Sequence, residues 1–407
     1  MIGFWIVLVA LYASHAIELA SDSINNHVHV WWIADRLWHH GRIPWHMPIL
    51  GHGDAFTYPY GVLNWTTAAL FWPLFGNWTV TLWSIIGSVG CLIATFVAFP
   101  ELRDDWWAVA VLANSALIES LLFAQQSFAW GAALLLFAMA AWRRGHRALA
   151  AVLAGLGMLN HAAVVAPISL VLVLLYLPFT QSKGALVRWY ALACAMAIPA
   201  ALVVFASPGY ADSSSSSRML NFWITAGQRV LIVVLPVFYA LLKSTKIRAL
   251  AFLAVFVSFG FNIGFEAPLN VIGQWKALFT RSANTHTLDS YLHGPAFVRG
   301  ATYRVLRGGD AKLGLYHVVQ AGGRLDSELF PESMAIRSFR DVDEYEGLLC
   351  DRHVDQVLDF DTYDRSRHTN EHALLEQLAD GASRRTIVHR LVTGTDFMAY
   401  GIDRTRC

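Results

Sequence analysis

Charge is what this chain has least of: Asp, Glu, Lys and Arg make up 14% of its 407 residues, against roughly 25% in an average soluble domain. Hydrophobic residues reach 56%, and the two figures together exclude an ordinary soluble protein. Thirty Lys and Arg against 29 Asp and Glu leave a net charge of +1, too small an excess for a surface that grips nucleic acid. Cysteine is scarce as well. Cys91, Cys194, Cys350 and Cys407 stand far apart with no CxxC pair, a pattern that reads as neither a disulfide framework nor a zinc site. Glycine-rich phosphate loops are missing: Gly308-Gly309 and Gly322-Gly323 match no Walker or dinucleotide pattern.

The charge that is present is unevenly spread. Residues 1–268 hold 13 Lys and Arg and 10 Asp and Glu, and residues 269–407 hold the other 17 and 19. This predicts a membrane domain over 1–268 and a soluble domain over 269–407. Apolar stretches suited to crossing a hydrocarbon layer of roughly 30 Å occur at 2–20, 78–99, 106–123, 127–142, 147–160, 161–179, 189–206, 222–242 and 250–268. A further apolar stretch, Gly61–Gly76, contains Pro73 and is expected to dip into the outer leaflet without crossing. With that assignment the cytoplasmic loops receive Arg103, Arg143, Arg144, Arg147, Lys183, Arg188, Lys243, Lys246 and Arg248, and the outer loops only Arg36, Arg42 and Arg218. Basic residues in short loops stay inside, so nine spans are expected, with the N-terminus cytoplasmic and the C-terminal domain outside the plasma membrane. The first span lacks the basic stretch of a secretory signal and is expected to remain uncleaved.

One loop stands out. Ser21–Tyr60, on the predicted outer face, carries His27, His29, His39, His40, His46 and His52 with Asp22, Asp35 and Asp54, interleaved with tryptophans. A helix is expected from Asp22 or Ser23 to His40–Gly41. Val28, Trp31, Trp32, Ala34, Leu37 and Trp38 form its apolar side, as in a helix lying at the membrane surface. Asp22 then sits at a helix N-terminus, which favours its ionised form.

These residues resemble the GT-C superfamily of integral-membrane glycosyltransferases. The likeness runs through Asp22, His27, Ala34, Leu37, Gly41, Ile43-Pro44, Tyr58-Pro59-Tyr60 and Leu74-Phe75-Gly76, then Gln125-Gln126 in the next outer loop and the Ala154–Gly157 run leading to Asn160-His161. Many members have an acidic residue where this chain has Gln125 and Gln126, and a proline pair where it has Pro59-Tyr60. The resemblance implies a polytopic helical membrane fold with amphipathic and re-entrant helices in the first outer loop. It also implies transfer, with inversion, of a sugar from a polyprenyl-phosphate donor to a cell-envelope glycan, lipid or protein. Asp22 is then the general base that receives the acceptor proton. The substrate-binding candidates are Arg229, His27, Tyr58, Gln125, Gln126 and His161. Arg229, inside an apolar stretch, would meet the lipid phosphate or snorkel to the headgroups. If a divalent metal takes part, its candidate ligands are Asp22, His27, His52 and Asp54. The alternative, raised by the missing second acid, is a catalytically silent relative that binds glycan or lipid as an assembly component. No inverted repeat is visible, which weighs against a transporter.

Residues 269–407 alternate apolar runs with helical patterns. Strands are expected at Thr302–Leu306, Val354–Phe360, Thr386–Leu391 and Phe397–Ile402, and helices at Lys312–Ala321, Asp343–Arg352 and Asn370–Ala379. That alternation predicts an α/β domain with a small, partly parallel sheet. The polar loops at Gly322–Glu332 and Arg365–His372 are candidate contacts for an acceptor glycan or plain solvated loops, and the serine-rich tract Tyr210–Ser217 is a mobile cover or a linker.

Overall fold

The structure, a computed structural model, describes residues 2–14, 22–44, 47, 49, 62–102, 117, 120–121, 125–206, 284–306, 311–326, 339–360, 370–383, 385, 387–393 and 397–407. The chain divides into two compact units. One comprises Met1–Ile43 with Thr57–Leu278, and the other Pro44–Phe56 with Phe279–Cys407.

The first unit is helical among the described residues. Its elements are α1 (Ile2–Ser14), α2 (Asp22–His40), α3 (Val62–Leu70), α4 (Trp72–Phe75), α5 (Trp78–Ala98), α6 (Gln126–Arg143), α7 (Arg147–Asn160), α8 (Ala162–Tyr176) and α9 (Lys183–Ala206). Among the described residues α5 is long and apolar enough to cross a bilayer, and Arg147–Asn160 and Val164–Phe179 are shorter apolar helices. The apolar stretches predicted at 222–242 and 250–268 lie outside the described residues, and that at 106–123 is described only at Leu117, Ser120 and Leu121. Gly61–Gly76 forms two pieces, α3 and α4, because Pro73 has no N–H to continue a helix and sits instead in the first turn of α4. Gly76 then turns the chain with φ +52 into α5.

Two tryptophan and arginine contacts orient α5 against α6. Trp130 Nε1 donates to the Trp83 carbonyl at 3.0 Å, and the Arg143 guanidinium donates to the Ala98 carbonyl. The two helices therefore run parallel, with Gln126 level with the start of α5 and Arg143 with its end. α7 returns antiparallel, brought close by facing glycines. A Cβ on Gly131 would stand 3.1 Å from the Gly157 carbonyl oxygen and one on Gly157 3.0 Å from that of Gly131, so only hydrogen fits between the backbones. The core here is built from Leu92, Ala94, Phe128, Leu135, Val165 and Ile168, with Trp5 of α1 against it.

The second unit carries a five-stranded sheet in the order β2-β1-β3-β5-β4, with β1 (Thr302–Val305), β2 (Arg324–Leu325), β3 (Gln356–Phe360), β4 (Val388–Val392) and β5 (Phe397–Ile402). β2, β1 and β3 are parallel, and β5 pairs antiparallel with both β3 and β4. Helices α10 (Asn284–Leu292), α11 (Ala311–Gln320), α12 (Val342–Asp351) and α13 (Glu371–Ala379) complete it. β1, β3, β4, β5, α11, α12 and α13 stand where the apolar runs of the sequence put them, with ends moved by a residue or two, whereas α10 is not among the expected elements and β2 falls within the stretch read as a polar loop, Gly322–Glu332. The β1-to-β2 and β2-to-β3 connections contain α11 and α12, as parallel pairing requires. Tyr345, Leu349, Val357, Leu375 and Tyr400 fill the core between sheet and helices. Part of the histidine-rich loop belongs to this unit: Met47 is buried, and Leu325 N donates to the Ile49 carbonyl at 3.0 Å.

The cysteine reading is overturned. Cys350 and Cys407 form a disulfide, 57 residues apart in sequence. β5 runs antiparallel to β3 with Gly401 opposite Gln356, so the chain leaving β5 returns to the end of α12, where Cys350 sits. Spacing along the sequence carries no trace of that return.

Candidate functional site

α2 is described from Asp22 to His40, and it ends where Gly41 takes φ +64 and its N–H closes on the Leu37 carbonyl at 3.0 Å. Its surroundings differ from the expectation of a surface helix. Residues Asn26, His27, Val28, His29 and Val30 are all buried, which no helix lying half in solvent allows. In the last turn Trp38, expected on the apolar side, is exposed along with His39 and His40. The first half is covered because α3, α4 and α5 all pack against α2.

Polar groups gather around that buried half. His27 Nε2–H donates to the Asn77 carbonyl at 3.2 Å, just before α5 begins. His29 stacks on Trp65 with ring centroids 4.0 Å apart, and Trp65 Nε1 donates to Asn26 Oδ1 at 2.7 Å. His27 and His29 lie on different sides of the helix, so each meets its own neighbour. Trp38 Nε1 reaches the Ala69 carbonyl at 3.1 Å, and the Arg36 guanidinium lies 4.2 Å from the Trp32 ring. Asp22 is placed by its backbone alone, at the first turn of α2.

α3 touches α2, α5, α6 and α7 and brings Asn64 into the same region. Asn64 and Gln126 are fully buried, and the amide oxygen and nitrogen of each have no partner among the described residues. Leaving one such group unmet costs on the order of 1–3 kcal/mol. Gln125 accepts a long hydrogen bond from the Ser120 hydroxyl at 3.5 Å. Since α7 is antiparallel to α6, Asn160 and His161 return to the Gln126 end. Asn160 is buried with its amide on the Leu156 carbonyl at 2.8 Å, and the His161 carbonyl accepts the first N–H groups of α8.

His27, Gln125, Gln126 and His161 therefore belong to one end of the first unit, together with the start of α2. Tyr58, His52, Asp54 and Arg229 lie outside the described residues. Among the described residues no group of three His, Cys, Asp or Glu is arranged to hold a metal, and the Nε2 of His27 is already committed to a carbonyl. The basic residues Arg143, Arg144, Arg147 and Lys183 lie at the other end of the bundle, where Arg143 also pairs with Glu101 at 3.0 Å. Along the 21-residue α5 the two ends are about 30 Å apart.

The residues that sequence reasoning missed are Asn64, Asn26 and Trp65. Asn64 and Trp65 are polar or half-polar groups within an apolar helical pattern, which is the signal that marks them, whereas Asn26 stands in a polar run and carries no such mark.

No known family model matches the chain, and no curated protein matches it. Solved structures similar to it include the oligosaccharyltransferase of Archaeoglobus fulgidus in complex with zinc and sulfate. That likeness has 11% identity and a TM-score of 0.49, and covers 90% of this chain and 69% of the other. They also include oligosaccharyltransferase AglB of the same organism with an inhibitory peptide and a dolichol-phosphate, at 12% identity and TM-score 0.49, covering 99% and 74%. Likeness at this level decides neither fold nor activity.

Proposed function

We propose that this chain is a GT-C-type membrane glycosyltransferase that moves a sugar from a polyprenyl-phosphate donor to a cell-envelope acceptor on the outer face of the plasma membrane. One observation carries the reading. The start of α2, the buried His27 and His29, and the unmet amides of Asn64 and Gln126 share one end of a helical bundle, while Arg143, Arg144, Arg147 and Lys183 lie at the other. Such a polarity fits an outer end that binds uncharged hydroxyls and an inner end that obeys the positive-inside rule. The likeness of the Asp22–Gly76 motifs to the superfamily supports the same reading. The disulfide Cys350–Cys407 supports an extracytoplasmic C-terminal domain, because such bonds persist in oxidising compartments.

In this mechanism the acceptor hydroxyl attacks the anomeric carbon from the face opposite the phosphate. A new carbon–oxygen bond forms, the bond to the phosphate oxygen breaks, and the polyprenyl phosphate leaves with the electron pair, inverting the centre. The acceptor proton passes to the Asp22 carboxylate, held ionised at the positive end of α2. Arg229 offsets the charge on the leaving phosphate. His27, Tyr58, Gln125, Gln126 and His161 bind the substrates. Of the candidate metal ligands Asp22, His27, His52 and Asp54, the side chain of His27 alone is described, and no step is routed through a metal.

Transfer from a polyprenyl-phosphate sugar, measured for the wild type and for Asp22→Asn, tests the proposal. The expected result is a loss of roughly 10²–10⁴-fold in rate with donor binding retained. Full rate in Asp22→Asn would remove Asp22 as base. Binding without transfer by the wild type, from any donor, would instead make the chain a silent relative, in keeping with Gln125 and Gln126 standing where an acid is usual.

A further inference from the structure

At the basic end of the first unit, helices α6, α7, α8 and α9 leave a cleft of about 90 Å³ between them. Ala138, Ala154, Leu172 and Ala193 are among the apolar residues along its wall. Small residues from three of the four helices keep it open: alanines cannot reach across, and Ala154 adjoins Gly155, where the α7 and α9 backbones approach closely. Aromatic side chains form the mouth. Trp142 is the next-to-last residue of α6 and Tyr176 the last of α8, and Trp189 and Tyr190 line the cleft from α9. Tyr190 is turned inward by its hydroxyl, which shares a hydrogen bond with Ser169 at 3.0 Å.

The surface around this cleft has a definite character. Leu149 and Val152 of α7 and Val187 and Leu192 of α9 stand exposed, an apolar surface that a bilayer covers. Beside the aromatic mouth the charge is positive. Arg147 lies over the Trp142 ring, 5.7 Å from its centroid, at the first turn of α7, where the helix dipole is also positive. Arg144, Lys183 and Arg188 are exposed at the same end. Glu101 is the acid described there, and it is bound to Arg143.

We propose that this cleft holds one acyl chain of an anionic phospholipid, with its headgroup phosphate at Arg147 and the start of α7. An apolar slot accepts a chain and excludes a headgroup, the tryptophans and tyrosines sit where aromatic side chains meet headgroups, and the exposed positive charge of Arg144, Arg147, Lys183 and Arg188 favours an anionic lipid. The proposal rests on α6 to α9 being embedded in a membrane.

The test uses the full chain in neutral detergent, with binding of phosphatidylglycerol and phosphatidylcholine followed by native mass spectrometry and by thermal shift. Phosphatidylglycerol binds more tightly, and Arg147→Gln reduces that preference roughly fivefold, the effect of one basic residue near an anionic surface. Ala154→Leu, which fills the slot, weakens retention of both lipids while the chain still melts cooperatively. Equal binding of the two lipids overturns the proposal, as does a preference that survives both variants or displacement of the lipid by inorganic phosphate alone. A chain that stays monomeric in buffer without detergent overturns the membrane reading itself. A chain that needs detergent yet shows no lipid preference overturns only the lipid site, and the transfer assay on Asp22→Asn is independent of both.

Discussion

Cys350 and Cys407 are bonded across a Cα separation of 5.5 Å, joining the last turn of α12 to the turn that follows β5. The bond closes the part of the sheet where Arg404 also pairs with Asp355 at 3.0 Å and the Ile402 N–H reaches the Asp355 carbonyl. Cys350→Ser is expected to cost roughly 2–4 kcal/mol of stability in the C-terminal domain, since a loop of this length is closed in the unfolded chain as well. Thermal unfolding with and without reductant measures it. The same pair reports the compartment. Maleimide added to intact cells before lysis should modify neither thiol unless a reductant is supplied, and free labelling of both would put the domain in the cytoplasm.

Gly131 and Gly157 hold α6 and α7 closer than any side chain allows. A Cβ at Gly131 would also meet Val165 Cγ2 at 2.6 Å, so Gly131→Ala forces α6, α7 and α8 apart. Each of Gly131→Ala and Gly157→Ala should lose about 1–3 kcal/mol. Gly90 serves as the control. Its nearest neighbour across the interface is 4.0 Å away, so Gly90→Ala should be neutral or stabilise by up to about 1 kcal/mol through helix propensity. Melting temperatures in detergent distinguish the two outcomes.

Arg304, on β1, is the third prediction. Its guanidinium is held by Asp326 at 2.6 Å and by both oxygens of Glu371 at 2.7 and 3.0 Å, and the Asp326 side chain is almost wholly buried. Burial opposes the positive charge, yet the two carboxylates outweigh it and hold the guanidinium pKa well above its ordinary range. Arg304→Met should cost about 3–5 kcal/mol because the two buried carboxylates then lose their nearest cation, and Arg352 lies farther off, 3.8 Å from Asp326. Replacing Arg304, Asp326 and Glu371 together by apolar residues should recover most of that loss. Denaturant unfolding followed by near-ultraviolet circular dichroism reads both. Equal stability of Arg304→Met and wild type would mean that the carboxylates find water or another cation.

Much of the second unit is legible in the sequence because its strands are short apolar runs and its helices amphipathic. Val354–Phe360 is legible as a strand, while the central place of β3 in the sheet is decided by its pairing with β1 and β5. The histidine-rich loop was less legible. The stop at Gly41 follows from local chemistry, but the burial of His27 and His29 does not, because amphipathic periodicity cannot tell a bilayer surface from a sheath of other helices. Cys350 and Cys407 lay beyond sequence reading for a related reason: antiparallel return of β5 along β3 is a tertiary event.

What the sequence determined by itself is the set of local decisions: scarce charge and long apolar stretches, Asp22 opening a helix and Gly41 closing it, Pro73 breaking another, and the alternation that makes a mixed sheet. Each depends on a few neighbouring residues and their backbone preferences. Only the tertiary structure decided which groups meet. It gathered His27, Asn64, Gln126 and His161 at one end of a bundle, held Gly131 against Gly157, enclosed Arg304 between Asp326 and Glu371, and bonded Cys350 to Cys407. Those pairings depend on how helices and strands return past one another, and residues far apart in the chain carry no mark of it.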